Sequence, residues 1–145
     1  MKGLIALTPL LLIIFLTPMT HEAASPVTVS ASNLSLTFQS ESHQLASPNC
    51  YNAQIHVLAV WNGTGTSTVS LPSFYLYATG TNLVLSNSTN YQQPNNQLGF
   101  FVLFPNVPVG LVLSFTKFCI PAGLSNLQVW LFYFDGTITL KVQIV

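Results

Sequence analysis

Residues 51–61 read Tyr-Asn-Ala-Gln-Ile-His-Val-Leu-Ala-Val-Trp, and this stretch decides the fold class. Tyr51, Ala53, Ile55, Val57, Ala59 and Trp61 fall on one face, while Asn52, Gln54 and His56 fall on the other. A period of two is the signature of a half-buried β-strand. Leu58 and Val60 make the far end apolar on both sides, so that end is expected to be covered. The Asn62-Gly63 pair that follows reads as a tight hairpin, since both residues tolerate positive φ. Upstream, residues 39–50 read as a polar loop. Before that loop the apolar residues change phase, from Val27, Val29 and Ala31 to Leu34, Leu36 and Phe38. Such a flip implies a bulge or a change of sheet near Ser32-Asn33.

Downstream the same punctuation continues. A short strand at residues 69–71 stops at Pro72. Residues 74–78 and 83–85 read as a hairpin around Thr79-Gly80-Thr81-Asn82, and residues 86–97 as an exposed polar loop. The nearly continuous apolar run at 98–104 suits a buried central strand. Residues 111–120 form a strand between Gly110 and Pro121-Ala122-Gly123, and residues 127–134 are apolar on both faces. Asp135-Gly136 is a second hairpin signal, after which Ile138, Leu140, Val142 and Ile144 alternate to the end. The reading is an all-β, antiparallel sandwich of seven to nine strands, with no convincing amphipathic helix.

Four motifs add a family resemblance. Trp-Asn-Gly-Thr at 61–64 is followed by Leu-Pro-Ser-Phe-Tyr-Leu at 71–76, by Pro-Val-Gly at 108–110 and by Phe-Cys-Ile-Pro at 118–121. Their order resembles the telokin-like, immunoglobulin-like domains of exported bacterial and archaeal proteins, over residues 51–145. The resemblance implies an immunoglobulin-like fold and no particular activity.

The amino terminus bears on destination. Lys2 precedes the apolar run LIALTPLLLIIFLT at 4–17, which is shorter than the roughly 20 residues needed to span a bilayer and is interrupted by Pro9. Small residues at Ala23, Ala24 and Ser25 suit cleavage. Residues 1–24 are therefore expected to be a secretory signal helix, with an uncleaved anchor as the alternative, and residues 25–145 one domain. Lys2-Gly3 before an apolar run also resembles the cut site of archaeal pilin precursors, but those carry a longer helix. The expected location is secreted, at the cell surface, with any membrane contact made through an uncleaved leader.

Charge sets the sharpest limits. Charged residues make up 4% of the chain, against roughly 25% in average globular proteins. The lysines are Lys2, Lys117 and Lys141, and there is no arginine, so nucleic acid is a poor partner: phosphate binding needs clustered cations. Weak self-repulsion favours association with further copies or with other surface proteins. Sparse charge suits an acidic, archaeal habitat, whereas abundant Asn counts against a hot one.

Catalysis lacks parts. Beyond the leader stand Glu41 and Asp135, His43 and His56, Lys117 and Lys141. Asp135 is explained by its turn, and no spacing assembles an acid–base pair or a nucleophile with its base. The expectation is no enzyme, no cofactor and no metal. Glu41 and His43 lie two apart but are only two ligands, and Cys119 lacks the following His or Met of a copper site. His56 reads as a surface residue of its strand.

Cys50 and Cys119 are expected to form one disulfide, closing a loop of about 70 residues, for which the chain-entropy model gives roughly 4 kcal/mol. Each falls opposite the core-facing alternation, which places the bond outside the core; free thiols or a metal site are the alternatives. Sequons at Asn33, Asn62 and Asn87 each fall at an expected bulge, turn or loop, accessible to glycosylation.

Two functions fit. One is a structural or adhesive surface module, including a filament subunit assembled by exchange of the strand at 26–38. The other is a solute- or glycan-binding accessory domain using Tyr75, Tyr77 and Tyr91.

Overall fold

In the computed structural model the chain is described over residues 26–81, 91–94, 99–120 and 125–144. The expected signal helix at 1–24 lies outside them. The alternation at 51–61 becomes strand β3 (Cys50–Trp61), with Ala53, Ile55, Val57 and Ala59 buried and Asn52, Gln54 and His56 exposed. Two antiparallel neighbours flank it. On one side is β2 (Leu34–Ser47), itself paired with β1 (Val27–Ala31); on the other is β8 (Val109–Cys119). The first sheet thus has the order β1-β2-β3-β8.

The second sheet runs β10-β9-β5-β6, built from β10 (Thr139–Gln143), β9 (Ser125–Phe134), β5 (Phe74–Thr81) and β6 (Tyr91–Gln92). Between the chain's passages from sheet to sheet, β4 (Ser67–Ser70) and β7 (Phe100–Leu103) pair as a separate two-stranded ribbon. A 3-10 turn at Leu71–Ser73 links β4 to β5. Among the described residues every strand pairs antiparallel with its neighbour, and one isolated parallel bridge joins Trp61 to Pro105.

The core lies between the two sheets. Leu36, Ile55, Val57, Leu113 and Phe115 of the first sheet join Phe74, Leu76, Leu131, Tyr133 and Leu140 of the second in one buried cluster. Burying a side chain of this size stabilises by about 1.5–3 kcal/mol, so this layer holds the sandwich closed. The resulting antiparallel β-sandwich agrees with the fold class read from the sequence.

Several local expectations are corrected. The phase flip near Ser32-Asn33 is neither a bulge nor a change of sheet. It is a two-residue hairpin turn, with φ of 48° and 67° at Ser32 and Asn33, that folds β1 back on β2. The fold-back turns residues 27–38 into two strands; the two sheets together hold eight described strands, within the expected seven to nine, and the β4-β7 ribbon adds two. The polar stretch 39–50 is not a loop: β2 continues to Ser47 and turns at Pro48-Asn49, where Asn49 has φ 60°. Asn62-Gly63 makes no hairpin, because β4 leaves β3 to pair with β7, and Gly63 instead packs on the Trp61 ring, which a Cβ would penetrate.

In the second sheet, β5 runs through Gly80 to Thr81 with a register shift instead of turning at 79–82. The expected strand at 83–85 lies outside the described residues. Tyr91–Gln92, read as loop, pairs with Leu76–Tyr77. Most consequentially, the apolar run at 98–104 is not a buried central strand. Its described part pairs only with β4, and Phe100, Phe101, Val102 and Phe104 are exposed.

Candidate functional site

The apolar character of residues 127–134 on both faces has a structural consequence. In β9, Val129, Leu131 and Tyr133 enter the core, so Trp130, Phe132 and Phe134 point out. In β5, Phe74, Leu76 and Ala78 are buried, so Tyr75 and Tyr77 point out too. The antiparallel register places Tyr75 opposite Phe132 and Tyr77 opposite Trp130. Ring centroids are 6.2 Å apart for Tyr75–Phe132 and for Tyr77–Phe132, 6.4 Å for the stacked Tyr77–Trp130 pair, and 6.5 Å for Phe132–Phe134. Lys141, opposite Phe132 on β10, lays its Nζ 5.4 Å from the Trp130 ring centre. The side chain of Gln93 closes one border, donating to the Pro72 carbonyl at 2.9 Å and to the Tyr75 hydroxyl at 3.3 Å. The outer face of the second sheet is therefore a continuous aromatic surface that, among the described residues, carries the one cation Lys141.

The β4-β7 ribbon adds a second apolar surface. Its inner side is fully buried at Val69 and Leu103, whereas Phe100 is 71% exposed and Phe104 55%. Leu71 N–H donates to the Gly99 carbonyl at 2.9 Å, continuing the ribbon's own ladder, and Asn106 N–H fastens the ribbon's end to the sandwich by donating to the Trp61 carbonyl at 2.7 Å.

A cleft opens between the sheets at the Cys50 end of β3. Two bulges produce it. In β2 a register shift between Phe38 and Ser40 moves the inward positions from the even to the odd numbers, so Glu41 and His43 face the second sheet. In β8 the pairing jumps from Ala53–Phe115 to Tyr51–Phe118; Lys117 takes φ 55°, and its N–H donates to Asn52 Oδ1 at 3.0 Å. Bulges bend a strand and increase its twist, which parts the sheets beyond them. The opening encloses about 140 Å³, with walls of Ala53, Leu76, Phe118, Leu127 and Val129. Glu41, His43 and Tyr51 stand along it. The Glu41 side chain is 9% exposed and that of His43 35%. His43 Nδ1 meets Glu41 Oε1 at 2.7 Å, and the His43 and Tyr51 rings meet edge to face at 5.8 Å.

Cys50 and Cys119 stand directly opposite each other on β3 and β8 and are joined as a disulfide. The bond ties two neighbouring strands of one sheet; Cys50 is half-buried and Cys119 exposed, outside the core as the alternation implied. At the opposite end of that sheet two sequons adjoin. Asn33 and Asn62 are both exposed; Asn62 N–H donates to the Asn33 carbonyl at 2.8 Å, and Asn62 Nδ2 donates to Ser35 Oγ at 3.1 Å. Asn87 lies outside the described residues.

The remaining ionisable groups are spoken for or dispersed. Asp135 accepts from the Thr137 and Ile138 amides at 2.9 and 2.7 Å and from the Tyr133 hydroxyl at 3.2 Å. Burial pulls its pKa up, but these hydrogen bonds outweigh it and hold the carboxyl below its ordinary value. Burial, aided by the Asp135 charge and hydrogen bond, pushes the Tyr133 phenol well above its usual range. His56 projects from the exposed face of β3. Glu41 and His43 form a pair with no third ligand: among the described residues no three His, Cys, Asp or Glu side chains gather.

The sequence named Tyr75 and Tyr77 but missed Trp130, Phe132 and Phe134 as their partners. The signal was present in the two-faced apolar pattern of 127–134, which also fits a strand covered on both sides. The inward turn of Glu41 and His43 was missed because a bulge hides the period of two. Comparison with known proteins finds no matching family model, no similar curated protein and no similar solved structure.

Proposed function

We propose that this chain is a non-enzymatic, extracellular structural or adhesive module that associates, with further copies of itself, through the aromatic face of its second sheet. The observation that carries this reading is the outward ladder of Tyr75, Tyr77, Trp130, Phe132 and Phe134. Phe134 is exposed and the other four rings are half-buried; contiguous apolar surface turned to solvent is characteristic of contact sites, and aromatic rings are the side chains most enriched there. With 4% charged residues, little electrostatic repulsion opposes the approach of a second copy. The disulfide suits an oxidising compartment, in keeping with export of residues 25–145 behind a signal peptide. Glycans on Asn33 and Asn62 would solubilise the far end of the other sheet and leave the aromatic face uncovered.

An immunoglobulin-like topology is part of the proposal. It is supported by three long strands, β2, β3 and β8, facing β6, β5, β9 and β10. With β1, β4 and β7 set aside, this order resembles an A-B-E sheet against a C′-C-F-G sheet. Strand exchange, where it operates, would use the edge strand β1.

Sedimentation velocity on the full chain tests the reading. The wild type is expected to shift to larger species with concentration, and Trp130→Thr/Phe132→Thr to stay monomeric. Identical behaviour of the two would reject the face as the contact. Stacking of Tyr77 on Trp130 also favours a second reading, a glycan platform. Glycan-array binding lost in the same variant would select it over self-association.

A further inference from the structure

The cleft beneath the bulges of β2 and β8 is independent of the aromatic face and has a chemistry of its own. Its volume, about 140 Å³, is close to the roughly 150 Å³ of apolar cavities that admit benzene. Its walls are apolar, so they fit a compact hydrocarbon body. Its polar groups are biased toward accepting. A carboxylate only accepts, so in the 2.7 Å contact His43 Nδ1 donates to Glu41 Oε1. Glu41 Oε2 is a second acceptor: among the described residues the carboxylate has no side-chain partner but His43.

Neither described lysine lines the cleft. An anionic ligand would meet no lysine there and would face the Glu41 carboxylate. A cationic one would relieve a carboxylate that is already nine-tenths removed from water. Tyr51 and Phe118 supply ring surfaces that attract cations.

We infer that this cleft is a binding site for a small primary amine with an apolar body of about benzene size, its ammonium held by the Glu41 carboxylate beside His43 and its hydrocarbon part between Phe118, Leu76 and Val129. The twist from the two bulges makes the room, and the phase change in β2 delivers the acceptors.

The test is a titration of the full, disulfide-bonded, isotope-labelled chain followed by amide chemical shifts, with benzylamine, benzyl alcohol and benzoate as probes. Benzylamine should give saturable shifts centred on Glu41, His43, Tyr51 and Val129. Benzyl alcohol should bind more weakly, and benzoate not at all over the same range. Glu41→Gln should weaken benzylamine about tenfold or more, the loss of one charge-assisted hydrogen bond. Leu127→Trp, at an exposed wall position, should abolish the shifts by filling the space. Equal responses to benzylamine and benzoate, or undiminished binding in folded Glu41→Gln, overturn the inference. Should Glu41→Gln fail to fold, Leu127→Trp decides: blocked binding upholds the site, and unchanged binding overturns it.

Discussion

The two sheets of this sandwich turn very different outer faces to their surroundings. On the first sheet, Thr28 pairs with Thr37 and Ser30 with Ser35, hydroxyl to hydroxyl at 2.8 Å, and Asn52, Gln54 and His56 continue a largely polar surface in which Val112 is an exposed aliphatic. On the second, the same outward positions carry Tyr75, Tyr77, Trp130, Phe132 and Phe134. Both faces obey the same alternation over the same core, so folding alone requires no such contrast. A chain nearly without charge can meet water with hydroxyls and amides, as the first sheet does. Rings across the second sheet gain only when something covers them. The difference separates what the fold needs from what contact needs.

The largest expected effect falls on the polar-faced sheet. Cys50→Ser/Cys119→Ser opens a loop with sequence separation 69. Chain entropy puts the loss near 4 kcal/mol, read as a lower denaturant midpoint. Because the bond lies away from the aromatic face, self-association of the folded variant should persist; its loss would tie the two faces together. A smaller effect follows from exchanging surface chemistry. Replacing Tyr77 and Phe132 by Thr should cost about 0.5–1.5 kcal/mol per aromatic pair lost and abolish association. Thr28→Val/Thr37→Val, the reciprocal change, should stay within about 0.5 kcal/mol per site.

The smallest effect is on pH. The Asp135 pKa is lowered on folding, so its contribution is present above the unfolded value of 3.8 and lost as pH falls through the folded one. The Tyr133 pKa is raised, so its contribution is present below 10 and lost as pH climbs through the folded value. Asp135→Asn should flatten the acid limb of thermal-midpoint-versus-pH curves and also lower the onset of Tyr133 ionisation, followed by phenolate absorbance.

The sheet architecture was legible because alternation survives wherever a strand has one face in the core, as at 51–61 and 138–144. It failed where the backbone interrupts the period. The shift at Gln39 makes residues 39–47 look patternless, although they form the longer half of a strand. The turn at Ser32-Asn33 looked like a bulge because a two-residue hairpin changes phase in the same way. Residues 98–104 misled for a different reason: an apolar run does not record whether its cover is its own core or another surface. The disulfide was legible from the count of cysteines. The Glu41–His43 pair was visible as a spacing, but its inward direction depends on the bulge. Tyr75 and Tyr77 were identified, while their role as one side of a larger face depends on the register with β9.

The chain has two tryptophans, one for each region: Trp61 beneath Gly63 at the end of the first sheet, and Trp130 on the aromatic face of the second. In a Trp61→Phe chain, fluorescence reports Trp130 alone. If the second sheet is the contact surface, Trp130 emission will move to shorter wavelength and resist acrylamide quenching as protein concentration rises. An emission maximum and quenching constant unchanged by concentration, in a sample that associates by light scattering, would contradict it.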